Sequence, residues 1–232
     1  MEQTTDRGSA LTPHATFDRE LASLESAVQA QAEQVAAILE ATIDRLASDR
    51  VDAAAVDAED DAVDQAHVAI EQEAILMIAR RQPVAGDLRH ILALLRTALH
   101  LERIADGAVD VAGLLAAHGP VPSDRLREVL GDMVRLDLAM IETALRSLHD
   151  KDQGVALEVE EIHRDLERRR AEAFELITAG PADSEQLPLL LSMDRIGRVL
   201  ERAGEHAVDI AEEAWFLATG ESREFGRAHA AD

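Results

Sequence analysis

From residue 189 onward, Leu189, Met193, Ile196, Leu200, Ala203, Ala207, Ile210, Ala214 and Leu217 follow one another at alternating steps of four and three. Only an α-helix returns residues so spaced to one face. An apolar stripe of this length must lie lengthwise against other helices. Leu94, Ala98, Leu101, Ile104, Ala108, Val111 and Leu115 trace nearly the same seam earlier in the chain. Ala, Leu, Glu, Asp and Arg dominate, and no stretch alternates apolar and polar residues as a half-buried strand would. The expected fold class is all-α.

Local signals place helices at about 17–48, 50–81, 84–117, 123–150, 153–179 and 184–219. The breaks have causes. Arg81-Gln82-Pro83 precedes the third helix and Gly119-Pro120-Val121-Pro122-Ser123 the fourth. Gly180-Pro181 precedes the sixth, and Gly220 is its expected C-cap. Helices of this length, roughly 45 Å for thirty residues, joined by short turns pack antiparallel.

The chain also repeats itself. Leu101-Glu102-Arg103-Ile104-Ala105-Asp106-Gly107-Ala108-Val109-Asp110-Val111-Ala112 is echoed 99 residues later by Leu200-Glu201-Arg202-Ala203-Gly204-Glu205-His206-Ala207-Val208-Asp209-Ile210-Ala211. A weaker echo at offset 101 pairs Asp60-x-x-x-Asp64 with Glu161-x-x-x-Asp165. Two regions keeping nearly one offset imply two tandem, sequence-related three-helix bundles, divided near Pro120–Ser123. The expected organisation is a disordered tail over 1–16, a first bundle over 17–119, a second over 123–221 and a flexible tail over 222–232.

Lys and Arg number 23 against 46 Asp and Glu, a formal net charge of −23. That balance excludes a direct nucleic-acid binder, which needs a basic face to displace counterions, and an anionic membrane surface would repel it. Aromatics are 2% of the chain and Tyr is absent, which removes base-stacking platforms. The absence of Cys excludes disulfides, thiolate metal sites and cysteine nucleophiles. The first residues lack the basic and apolar regions of a signal peptide. No apolar run approaches the eighteen or so residues of a membrane span. A soluble, cytoplasmic protein without membrane insertion is expected.

Residues four apart share a helical face, so Glu102, Asp106 and Asp110 form one row of carboxylates and Glu201, Glu205 and Asp209 another. Like charges so placed disfavour the helix unless a cation or basic partner neutralises them. Most such pairs in an acid-rich chain are solvated surface. These rows differ because they abut the apolar seam and recur in both halves, although Arg103 and Arg202 could supply part of the neutralising charge. If the second and third helices face each other, Asp60 and Asp64 join the first row. Oxygen-rich sets of this kind suit Mg²⁺, Mn²⁺, Ca²⁺ or iron. Asp64-x-x-His67 and Glu160-x-x-His163 echo the carboxylate-x-x-His element of di-iron bundles, but the two elements fall in different bundles. His100 and His206 flank the acidic rows and could serve as ligands, although a partly exposed side chain is the commoner reading of each. No Gly-rich phosphate loop, nucleophile elbow or His-Glu-x-x-His is present.

Two stretches carry a resemblance. Ala79-Arg80-Arg81-Gln82-Pro83-Val84-Ala85-Gly86-Asp87-Leu88-Arg89 followed by Leu101-Glu102-Arg103-Ile104-Ala105-Asp106 resembles the first half of PhoU proteins. The segment from Leu200 to Glu213, with Thr219-Gly220-Glu221 after it, is similar to their C-terminal signature. The similarity runs from about Phe17 to Glu221. It implies two tandem three-helix bundles and a negative regulator, not an enzyme, of phosphate-starvation signalling and phosphate uptake. Such a regulator couples the ATPase subunit of a phosphate ABC transporter to a phosphate-sensing histidine kinase.

The resemblance also implies two metal sites, Asp60, Asp64, Glu102 and Asp106 in one and Glu161, Asp165, Glu201 and Glu205 in the other. The bound ions would be divalent or trivalent, of the Mg, Mn, Fe or Zn kind. This chain departs from the family pattern at several places. His100 and Ala105 stand where Asp and Gly are usual, and Glu205 where Asp is usual. Asp110 and Asp209 stand where Asn is common, adding charge to each site. Two other readings stay open: an accessory protein of a sodium- or proton-coupled phosphate carrier, and, more remotely, a di-metal helical-bundle enzyme. Alanine-rich helix faces are compatible with a homodimer.

Overall fold

A computed structural model describes residues 13–179 and 185–225. Its helices are α1 (Pro13–Leu46), α2 (Ala53–Arg81), α3 (Ala85–His118), α4 (Asp124–Asp150), α5 (Gln153–Thr178) and α6 (Leu187–Thr219). α1, α2 and α3 pack on one another, as do α4, α5 and α6. These are the two tandem three-helix bundles that the repeat implies. The halves join where α3 lies along α6 and, less extensively, where α1 meets α4.

The helix ends follow local chemistry. The Ser123 hydroxyl accepts from the Leu126 N–H at 3.2 Å and starts α4. The Asp152 carboxylate accepts from the Gly154 N–H at 2.8 Å and starts α5, as N-cap side chains do. Gln82 takes a left-handed conformation at the end of α2, with its N–H donated to the Ile78 carbonyl, and Pro83 prevents the helix from continuing. Gly220 closes α6 at φ 77° as expected.

Five boundaries differ from expectation by more than one residue, one of them the start of α6, expected at 184 and found at Leu187 after a turn at 185–186. α1 starts at Pro13, four residues into the stretch assigned to a tail, because Pro at the first helical position lacks only an N–H that would go unpaired there. The rest of that tail lies outside the described residues. α1 also ends sooner, at Leu46, where the Ala47 and Ser48 N–H groups tighten onto the Asp44 and Arg45 carbonyls. α2 begins at Ala53 and not at 50, after Asp52 in an extended conformation. At the other terminus, the tail assigned to 222–232 lies outside the described residues from 226 on, but its first part is packed. Phe225 is buried, stands edge-on to Trp215 with ring centroids 6.0 Å apart, and donates its N–H to Glu212 at 2.6 Å.

The core is aliphatic. Leu101, Ile104, Ala108, Val111 and Leu115 of α3 and Met193 through Leu217 of the α6 seam are buried, and one continuous cluster runs through both bundles. Burying each Leu or Ile contributes on the order of 1.5–3 kcal/mol. The alanines let α3 and α6 approach closely. A buried polar tie also crosses the first bundle, where the Gln31 amide donates to the Ala98 carbonyl at 3.1 Å. No helix among the described residues is long and apolar enough to cross a membrane.

Candidate functional site

The packing of α2 on α3 brings the first predicted set together. Asp60 and Asp64, one turn apart on α2, meet Asp106 of α3, and one carboxylate oxygen from each lies within 4.8 Å of the other two. Glu102, one turn before Asp106, faces the same group, since Asp106 and Asp64 both push its pKa upward after burial has done so. The Asp60 carboxyl is pushed up to about 6, first by burial and then by the charges of Asp64, Asp106 and Glu102. One oxygen of Asp60 and one of Glu102 are buried without a hydrogen bond, as is Nδ1 of His67, which lies close enough to Glu102 to lower its pKa.

Neutralising charge here is sparse. Arg103 reaches Asp106 at 3.1 Å and comes within 3.3 Å of Glu102, but its own side chain is more than half exposed. Crowded carboxylates with a buried, unpartnered Asp60 oxygen are a set that a hard cation would satisfy. A metal bound here would draw on Asp60, Asp64 and Asp106, whose oxygens converge, with Glu102 outside that converging group and His67 beside them. Asp110, the third member of that row, does not join. It faces α6, 4.0 Å from the Arg195 guanidinium.

The second predicted set is arranged differently. Among the described residues, no three of Glu161, Asp165, Glu201 and Glu205 bring ligand atoms together. Asp165 pairs with Arg168. Glu201 lies 3.6 Å from the buried Arg170 guanidinium, which is itself held by Asp194 at 2.6 Å. Glu161 is exposed on α5, and Glu205 opens onto a groove shared with His163, Glu167 and Glu212.

The repeat explains the contrast. At offset 101, Arg168, Arg169 and Arg170 correspond to His67, Val68 and Ala69. Where the second bundle supplies guanidinium groups to its carboxylates, the first supplies none from α2. Both halves keep the acids. The second surrounds them with several guanidinium groups, whereas the first has Arg103 of α3.

Asp209, the last predicted ligand, belongs to neither set. Its Oδ2 lies 3.3 Å from Nδ1 of His100 and 3.4 Å from Nδ1 of His206. Burial pushes the His100 imidazole below its ordinary pKa, against the pull of Asp209 and with the help of His206 and Arg96. The sequence offered a sign of this grouping, since both histidines flank the acidic rows. Their meeting depends on a crossing of helices 106 residues apart.

A doubled three-helix bundle with a carboxylate set between its second and third helices defines a class of all-α proteins. The PhoU domain model matches residues 22–115 and 130–214. A phosphate-specific transport system accessory protein PhoU homolog of Xylella fastidiosa is 32% identical over 210 residues, covering 89% of this chain and 86% of that protein. PhoU homolog 1 of Thermotoga maritima is 30% identical over 225 residues, covering 94% and 95%. The crystal structure of PhoU from Pseudomonas aeruginosa superposes with a TM-score of 0.74 at 29% identity, over 88% of this chain and all of that one. That of the phosphate transport system regulatory protein PhoU from Streptococcus pneumoniae gives 0.80 at 23% identity, over 90% of this chain and all of that one, and speaks to the fold alone. The chain belongs to the PhoU family.

Proposed function

We propose that this chain is an accessory protein of a phosphate-specific transport system that restrains phosphate-starvation signalling when phosphate is plentiful. The observation that carries the reading is likeness at full length. The Xylella fastidiosa and Thermotoga maritima relatives, named as phosphate-specific transport system accessory proteins, align with this chain over nearly all of both partners. The proposed action is protein contact in the cytoplasm and not turnover. One acidic face docks the transporter's ATPase subunit and the cytoplasmic region of the sensor histidine kinase. A net charge of −23 suits docking onto basic patches, where complementary charge speeds encounter and selects partners more than it adds affinity. A metal held by Asp60, Asp64 and Asp106, with Glu102 beside them, fixes α2 against α3 and sets the shape of that face.

The test is a phosphate-regulon reporter, such as secreted phosphatase activity, in a deletion strain grown with excess phosphate. High activity that returns to low when the gene is restored supports the reading. Activity that stays low in the deletion strain means that another protein holds the kinase off, and moves the accessory protein of a sodium- or proton-coupled carrier, or a redundant paralogue, to the front. The metal has its own arm. Glu102→Ala with Asp106→Ala restores low activity less well than the intact gene if the ion shapes the docking face. Full restoration makes it dispensable.

A further inference from the structure

Where α3 crosses α6, the internal repeat relates the two sides of the crossing. At offset 99, His100 corresponds to Val199, His206 to Gly107 and Asp209 to Asp110. The correspondence holds in space. Val199 lies against Gly107, where an added Cβ would come within 3.2 Å of it, and His100 lies against His206 with ring centroids 5.5 Å apart.

The chemistry of the two sides differs. On one, Asp110 faces Arg195. On the other, Arg96, the counterpart of Arg195, is drawn to Glu213 at 3.1 Å and leaves Asp209 to the imidazoles. A duplicated contact filled by Val and Gly on one side carries a His-His-Asp group on the other.

The geometry of that group is specific. The two Nδ1 atoms are 3.3 Å apart, and Asp209 Oδ2 lies 3.3 and 3.4 Å from them. Hydrogen bonds cannot satisfy all three edges of this triangle. If both Nδ1 atoms carry protons, two donors face each other. If one does not, its lone pair faces a carboxylate lone pair.

A cation bound by all three atoms removes the conflict. A tetrahedral ion with bonds of 2.0–2.1 Å needs ligand atoms separated by about 3.3–3.4 Å. An octahedral ion at the same bond length needs about 2.8–3.0 Å between neighbouring ligand atoms. Imidazole nitrogen also suits Zn²⁺ better than it suits Mg²⁺ or Ca²⁺.

The geometry points to a mononuclear, tetrahedral Zn²⁺-type site formed by His100 and His206 through Nδ1 and Asp209 through Oδ2. It is separate from the carboxylate set on α2 and α3. His206 and Asp209 also line a groove with His163, Glu205, Glu212 and Phe225, from which water would complete the coordination. One ligand comes from the first bundle and two from the second, so the ion clamps the two halves together at their main contact. The site stands whether or not the chain regulates phosphate signalling.

The experiment is a Co²⁺ titration of the full chain after chelator treatment, because tetrahedral Co²⁺ with nitrogen ligands absorbs strongly in the visible and oxygen-rich octahedral Co²⁺ does so weakly. The expected result is an intense band that saturates at one equivalent and is displaced by Zn²⁺. It persists in the Asp60→Asn/Asp64→Asn double variant and is lost in His100→Val and in His206→Gln. His100→Val installs the residue that the repeat carries at the equivalent place, so the fold accommodates it. An unchanged helical circular dichroism spectrum and metal-free melting temperature check this, and Zn²⁺ raises the melting temperature of the parent chain but not of the variant. A missing band, a band that survives both histidine substitutions, or one lost only in the Asp60/Asp64 variant overturns the assignment.

Discussion

Asp137 sits in the middle of α4 with its side chain fully buried and neither carboxylate oxygen hydrogen-bonded. Burial alone holds its pKa well above the ordinary carboxylate value. The sign of the consequence follows from linkage. In the unfolded chain the group ionises near pH 3.9, as an unperturbed Asp does. In the folded chain it holds its proton to higher pH. Stability from this group is therefore complete below about pH 4 and falls as pH rises from there to the folded pKa. Asp137→Asn keeps the shape and removes the ionisation. Its melting temperature should exceed that of the parent at pH 8, with the difference closing toward pH 4, and a difference constant with pH would refute the account.

Asp60 obeys the same sign in a narrower window. Its pKa of about 6 places the loss between roughly pH 4 and pH 6. In metal-free protein, Asp60→Asn should melt higher than the parent above pH 6 and equally at pH 4. With the proposed ion present the order should reverse at neutral pH, because the variant has lost a ligand. Melting curves with and without chelator read both.

At the scale of helices, the two copies of the Leu-Glu-Arg motif differ at one small residue for a steric reason. A Cβ added to Gly204 of α6 would lie 2.1 Å from Leu166 Cδ2 and 3.1 Å from Asp137 Oδ1. Leu166 is fully buried on α5 and has little room to yield. At the corresponding place in α3 stands Ala105, fully buried without difficulty, because the counterpart of Leu166 is the exposed Gln65. Gly204→Ala should therefore destabilise the protein by about 1–3 kcal/mol, the usual range for overpacking, and pairing it with Leu166→Ala should recover part of the loss. A neutral Gly204→Ala in chemical denaturation would contradict the close approach.

The same comparison shows what was legible in the sequence. Steps of four and three along α3 and α6 determine which faces are buried, so the helices and their grouping into two bundles are legible from spacing and repeat. That Asp60 and Asp64 meet Asp106 requires α2 to face α3, which spacing leaves open and only the family resemblance supplies. The second carboxylate set did not follow. Spacing counts the acids, but whether they gather depends on counter-charges, and Arg168 and Arg170 were visible without being weighed. The His100–His206 contact was hidden for another reason: it is fixed by the angle and register at which two distant helices cross, which no local period encodes.

For the whole molecule, the question is whether two duplicated bundles behave as one body. Their cores are continuous, with α3 packed along α6 and α1 against α4. Such continuity couples the halves more strongly than a polar domain contact would. The chain carries 46 acids against 23 bases, so self-repulsion opposes compaction of both halves at once. Salt should relieve it, since the screening length falls from about 30 Å at 0.01 M to about 10 Å at 0.1 M ionic strength. Calorimetry of metal-free protein should thus show a single transition whose midpoint rises as NaCl increases over that range. Leu101→Ala, which empties a fully buried position in the first bundle, should lower the midpoint of that one transition at a cost of about 2–5 kcal/mol, leaving no second-bundle transition at the original temperature. Two separable transitions would mean that the α3–α6 contact is a docking surface between independent bundles. A midpoint that falls with salt would mean that local ion pairs such as Arg96–Glu213, 3.1 Å apart across the join, outweigh the repulsion of the excess acids.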